Sequence, residues 1–63
     1  MLLTIYYNKI HLREAHVTVC DVGYFVQLYE GNFLVFNKGF FYEFPQSYAE
    51  QYAYDFVSKR ILG

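Results

Sequence analysis

The sequence predicts an α+β domain: an antiparallel β-meander of four to five strands followed by one C-terminal α-helix packed on one sheet face. Three observations lead there. Pro45 divides the 63-residue chain into two halves of different character. Before it, β-branched and aromatic residues sit between Gly, Asn and Asp turn signals, as in short strands. After it, apolar residues recur at helical spacing. A chain of this length forms a single small domain, residues 1–63.

The helix is expected from about Tyr48 to Ile61. Ser47 and Glu50 fit a capping box, with Ser47 as N-cap and Glu50 three residues later. Pro45 disfavours an earlier helical Phe44. Ala49, Tyr52, Ala53, Phe56 and Val57 form the inner stripe, and its two alanines allow close approach to a sheet. Lys59 and Arg60 fall in the last turn, where cations suit the helix dipole, and Gly63 ends it. Tyr54, Val57 and Ile61 make a flanking line, either a solvated edge or the border of an interface.

Two hairpins are expected before the helix. Gly23 to Tyr29, Phe33 to Phe36 and Phe40 to Phe44 read as strands, with turns at Glu30-Gly31-Asn32 and Asn37-Lys38-Gly39. With two-residue loops at Glu30-Gly31 (or Gly31-Asn32) and Lys38-Gly39, one face collects Val26, Leu28, Phe33, Val35, Phe40, Tyr42 and Phe44. The other collects Phe25, Gln27, Tyr29, Leu34, Phe36, Phe41 and Glu43. Both polar side chains, Gln27 and Glu43, fall together, which supports the register, because a one-residue slip would reverse a whole strand.

The first residues read as a strand from Leu2 to Tyr7 and a turn at Asn8-Lys9. Ile10 and Leu12 alternate in one phase; Ala15, Val17 and Val19 alternate in the other. A bulge or turn near Arg13-Glu14 would account for the change. Asp21-Val22-Gly23 is the turn into the meander.

Composition sets limits on function. Eight Tyr and seven Phe, with a net charge of −1, exclude a disordered tail. One cysteine, Cys20, excludes an internal disulfide framework. There is no basic stripe to neutralise phosphates, so nucleic acid is an unfavoured partner. No apolar run reaches membrane-span length and no signal peptide is evident. The chain reads as a complete small frame, and the free thiol favours the cytoplasm.

Nothing in the sequence points to catalysis or to a cofactor. On one strand His16 and Cys20 stand about 13 Å apart, too far to share a metal or form a nucleophile pair. His11 and His16 across a turn, with Glu14, fall short of a structural zinc site. No carboxylate pair and no phosphate loop is present. Catalytic, metal and cofactor residues are therefore none.

The expected function is a non-enzymatic protein-interaction module. It would self-associate as a homodimer, bind a larger protein, or both. About half of the rings are assigned to the core: Phe33, Phe40, Tyr42, Phe44, Tyr52, Phe56 and Tyr24. Tyr6, Tyr7 and Tyr48 remain unassigned. The surplus marks a binding surface: Phe25, Tyr29, Leu34, Phe36, Phe41 and Tyr54, with Gln27 and Glu43 as polar contacts. Either residues 1–20 cover this face or another molecule does. Edge-to-edge pairing is a second route to assembly. Small aromatic-rich frames of this kind are also expected of viral or mobile-element accessory proteins that block a host protein. The alternative is a single-stranded nucleic-acid platform, in which bases stack on aromatic side chains.

Overall fold

The structure, a computed structural model, describes residues 1–58. Four strands run in sequence order, β1 (Leu2–Asn8), β2 (Arg13–Val19), β3 (Gly23–Glu30) and β4 (Phe33–Phe41), followed by helix α1 (Gln46–Val57). The sheet is an antiparallel meander in the order β1-β2-β3-β4, with β1 and β4 as its edges. The α+β class and the packing of one helix on one sheet face agree with the sequence.

The register sorts the side chains. Arg13, Ala15, Val17 and Val19 face Glu30, Leu28, Val26 and Tyr24 across β2 and β3. Thr4, Tyr6 and Asn8 stand beside Val17, Ala15 and Arg13. All lie on the helix side, since residues opposite one another share a face. The core is Ala15, Val17, Val26, Leu28, Ala49, Ala53, Phe56 and Val57. Its small helix residues, Ala49 and Ala53, let α1 settle over β2 and β3 with β1 alongside.

Phe56 is the one aromatic residue in this buried core. The expectation that seven rings build the core is therefore corrected. Tyr24, Phe40 and Tyr52 pack at its margin, while Phe33, Tyr42 and Phe44 are exposed. Close helix–sheet contact through alanines leaves little room for rings between the layers.

The second hairpin is also corrected. Asn37, Lys38 and Gly39 form no turn; they pair with Gln27, Val26 and Phe25 in one continuous strand. The cause lies at the preceding turn. Gly31 and Asn32 have φ of 58° and 72°, as a two-residue type I′ turn requires. That tight turn starts β4 immediately beside an eight-residue β3, and the ladder runs back to Gly23. Gly39 serves a different purpose: a Cβ there would lie 3.2 Å from Phe25 Cε1, so the missing side chain makes room for the ring. Tyr42 to Phe44 form a turn, closed by Phe44 N–H on Phe41 O at 2.9 Å, rather than a further strand.

The β3–β4 ladder slips next to Leu28. Leu28 faces Phe36 and Tyr29 faces Leu34, leaving Val35 as the extra residue of a bulge. Phe36 thus sits on the helix side, opposite to its expected face.

The helix begins two residues earlier than expected. Pro45 is its N-cap, without a side-chain hydrogen bond, so the Ser47–Glu50 capping box does not form. Glu50 turns inward and accepts from Thr4 Oγ1 at 2.8 Å, Tyr6 Oη at 2.7 Å and Gln46 Nε2 at 2.9 Å. Three donors outweigh the single backbone N–H that a capping box offers. Lys59, Arg60, Ile61 and Gly63, assigned to the helix end, lie outside the described residues.

Two side chains from the sheet serve the C-terminal end instead. Arg13 Nη1 donates to Phe56 O at 3.0 Å, and Asn8 Nδ2 donates to Val57 O at 2.8 Å. Arg13 is 4% exposed. Its Nε donates to Glu30 Oε2 at 2.9 Å and its guanidinium lies 4.4 Å from the centre of the Phe56 ring. A cation at this pole also complements the helix dipole.

The expected extended segment Ile10 to Leu12 is loop, Lys9–Leu12, and Arg13-Glu14 is regular strand rather than a bulge. Asn8 Oδ1 accepts from Ile10 N–H at 3.0 Å, and Leu12 has φ of 55°. The phase change between Leu12 and Ala15 is a turn, not an irregular strand. The irregularity of β1 falls between Leu2 and Thr4.

Candidate interaction surface

The helix leaves strand β4 largely uncovered. Eight of its nine residues are exposed. Phe33 is 76% exposed and Phe41 65%; Leu34, Val35 and Phe36 are also open. Lys38 is the only charged residue of the strand. β4 reaches α1 through Phe40, whose ring lies 5.8 Å from Tyr52 in an edge-on contact. A long apolar edge strand offers unpaired backbone groups to another chain, and only a bulge and one lysine blunt it here.

The sheet face opposite the helix is partly open, with Tyr7, Ile5, Leu2, Phe25 and Leu34 exposed and Glu14, His16, Gln27 and Tyr29 half-buried. Residues 1–20 do not cover it, because β1 and β2 belong to the same sheet. Its rows follow from the register. Tyr7, Glu14, Tyr29 and Leu34 stand side by side across the four strands; next come Ile5, His16, Gln27 and Asn37, then Leu2, Thr18, Phe25 and Gly39. The middle row is mostly polar, and the row at the loop end sets the Glu14 carboxylate between two tyrosines. His16 Nε2 contacts Glu14 Oε2, and its ring lies 4.8 Å from that of Tyr29. At the loop end of this face a cleft of 470 Å³ is lined by Tyr7, Leu12, Glu14, Tyr29, Gly31 and Asn32. Its two loops are tied together by Gly31 N–H on Leu12 O at 2.9 Å.

The structure brings together five of the residues singled out in the sequence. Phe25, Gln27, Tyr29, Leu34 and Phe41 share the free face, Phe41 opposite Gly23. Phe36 lies on the other side of the sheet. Glu43 is in the turn after β4, off the sheet altogether. Tyr54 is on the helix, its ring 6.2 Å from Tyr6. Phe33 and Val35 at the edge, and Ile5, Tyr7, Glu14 and His16 on the face, are not among the residues the sequence singles out. A signal for the last two existed: alternation with buried Ala15 and Val17 sends Glu14, His16 and Thr18 to the opposite side.

The Thr4–Tyr6–Glu50 cluster is polar but internal to the helix–sheet junction. Its hydrogen bond to the Glu50 carboxylate, together with burial and the nearby negative charge, pushes the Tyr6 phenol up to about 12. Burial alone would raise the Glu50 carboxyl, but the bonds from Gln46, Tyr6 and Thr4 prevail and hold it below the usual carboxylate range.

Cys20 is exposed in the turn before β3. Among the described residues no three His, Cys, Asp or Glu side chains gather as metal ligands. No helix among them is long and apolar enough to cross a membrane. No protein-family model, no curated protein and no solved structure matches this chain.

Proposed function

We propose that the protein is a non-enzymatic protein-interaction module that self-associates, binds a larger protein, or does both, through strand β4 and the adjoining free sheet face. The observation carrying this reading is the nine-residue edge strand Phe33–Phe41, which exposes apolar side chains on both sides and is left largely uncovered by the helix. At about 200 Å² per ring, Phe33, Phe36 and Phe41 alone expose about 370 Å². That is close to half of the roughly 800 Å² each partner contributes to a standard interface. The role as an accessory inhibitor of a host protein remains one form of this function.

The nucleic-acid alternative has less support. Stacking platforms place cations beside their rings, whereas the free face has Glu14 and neither Lys nor Arg along its rows.

Sedimentation velocity and affinity capture test the proposal together. Wild-type protein is expected to sediment above its 7.6 kDa monomer mass, or to retain a protein partner from lysate. Leu34→Lys with Val35→Lys should abolish either behaviour while leaving the far-UV spectrum unchanged. A monomer that captures the same proteins as the double variant would overturn it.

A further inference from the structure

We infer that the cleft at the loop end of the free face is a subsite for an arginine side chain of the protein partner. This rests on the protein-interaction reading for the source of the arginine, but the cleft chemistry stands separately. Glu14 is directly flanked by Tyr7 on β1 and Tyr29 on β3. It is the one charged residue lining the 470 Å³ cleft, a volume within the usual range for ligand sites. Tyr7 and Tyr29 are two strands apart, about 9.5 Å at the backbone. Strand β2 and Glu14 occupy that interval at the sheet, and the cleft beyond, lined by both tyrosines and Glu14, has room for a guanidinium.

The carboxylate selects among cations. His16, from the neighbouring row, contacts Glu14 Oε2 and packs at a tilt against the Tyr29 ring, so it positions both of those side chains. Among the described residues, Glu14 Oε1 has no hydrogen-bond partner. Each carboxylate oxygen has two acceptor sites, so Oε2 can also receive a second donor. A guanidinium supplies two parallel N–H groups for this pair of oxygens and a flat face for each tyrosine. An ammonium offers a point charge without the fork, and a quaternary ammonium offers no donor at all. Leu12 supplies an apolar wall of the cleft for the aliphatic stem.

The test is an amide NMR titration of the whole protein with N-acetyl-arginine amide. Shifts should concentrate on Leu12, Glu14, Tyr29 and Gly31 and saturate in the millimolar range, as expected of a single side chain. N-acetyl-citrulline amide, which keeps the shape and loses the charge, should bind at least about tenfold more weakly. Glu14→Gln and, independently, Tyr7→Ala should each weaken arginine binding several-fold while retaining a dispersed spectrum; Tyr7 is 61% exposed and is not part of the core. Equal binding of citrulline, unchanged affinity in Glu14→Gln, or absence of any shift would overturn the assignment. So would a lysine probe that binds as tightly as arginine. Because the probe is a free amino-acid derivative, its failure is separable from that of the interaction module, which sedimentation and capture decide.

Discussion

Glu50 and Tyr6 illustrate how one residue changes role between sequence and structure. The spacing from Ser47 makes Glu50 look like part of a capping box, yet in the fold it is the acceptor that joins β1 to α1. The shift in each group sets a pH limit. The Tyr6 phenol rises from 10.0 to about 12 on folding, so its contribution is complete below pH 10 and lost as pH climbs through 10 to 12. Glu50 is lowered on folding; its contribution is present above the ordinary carboxylate value and lost as pH falls through the folded one. Tyr6→Phe should cost about 1–2 kcal/mol at neutral pH and flatten the alkaline limb, measurable by urea unfolding across pH. Arg13 is the second such residue. Arg13→Met removes the donor to the Phe56 carbonyl and the ion pair; Glu30 is half-exposed and can rehydrate, so the expected loss is about 2 kcal/mol, read from the unfolding midpoint.

At the scale of elements, β4 is where sequence and structure part. Asn37-Lys38-Gly39 has turn composition, and local rules give no reason to reject it. What rejects it is the tight turn at Gly31-Asn32, which commits the following residues to a ladder with all of β3. Two glycines then behave oppositely. At Gly23 a Cβ would sit 2.1 Å from the Phe40 carbonyl oxygen, a backbone atom. Gly23→Ala should cost about 3 kcal/mol or more. At Gly39 the neighbour is the ring of Phe25, a side chain able to swing toward solvent. Gly39→Ala should stay within about 1 kcal/mol of wild type, whereas a turn glycine in the left-handed region would not tolerate it. Thermal unfolding of the two variants side by side checks this. The helix was easier to read, because Ala49, Ala53, Phe56 and Val57 carry a periodicity that tertiary contacts reinforce. Its start differs because Pro45 is the N-cap and Glu50 is engaged by Thr4 and Tyr6 on β1.

For the whole molecule the governing fact is one helix on a four-stranded sheet. An amphipathic helix about 10 Å across spans roughly two strands at about 4.8 Å spacing. Here it centres on β2 and β3, leaving β4 outside. The surplus of aromatic residues collects on β4 and on the free face as a consequence. Because Phe33 contributes to an exposed edge and not to the core, Phe33→Lys should leave the unfolding midpoint within a few degrees while lowering self-association in sedimentation. A core role for Phe33 would instead cost about 3 kcal/mol or more. Of the candidate surface, Phe25, Gln27, Tyr29 and Leu34 were legible through alternation alone, whereas Phe41 reaches this face through the bulge at Val35 and not through the expected turn at Lys38-Gly39. Phe36 was not legible in this way, since the bulge at Val35 reverses the phase after it. Alternation with Ala15 and Val17 places Glu14 and His16 on this face, but the meeting of Glu14 with Tyr7 and Tyr29 depends on strand pairing.

The sequence by itself determined the order of elements, the inner stripe of the helix, the alternation of β2 and β3, and an excess of rings over what a small core can hold. Those properties are local and follow from periods of two and 3.6 residues. Tertiary structure alone decided the length of β4, the side on which Phe36 falls, the partners of Glu50 and Arg13, and the meeting of Tyr7, Glu14 and Tyr29. Each of these depends on strand register and on where the helix rests, and register is set by pairing between segments far apart in the chain.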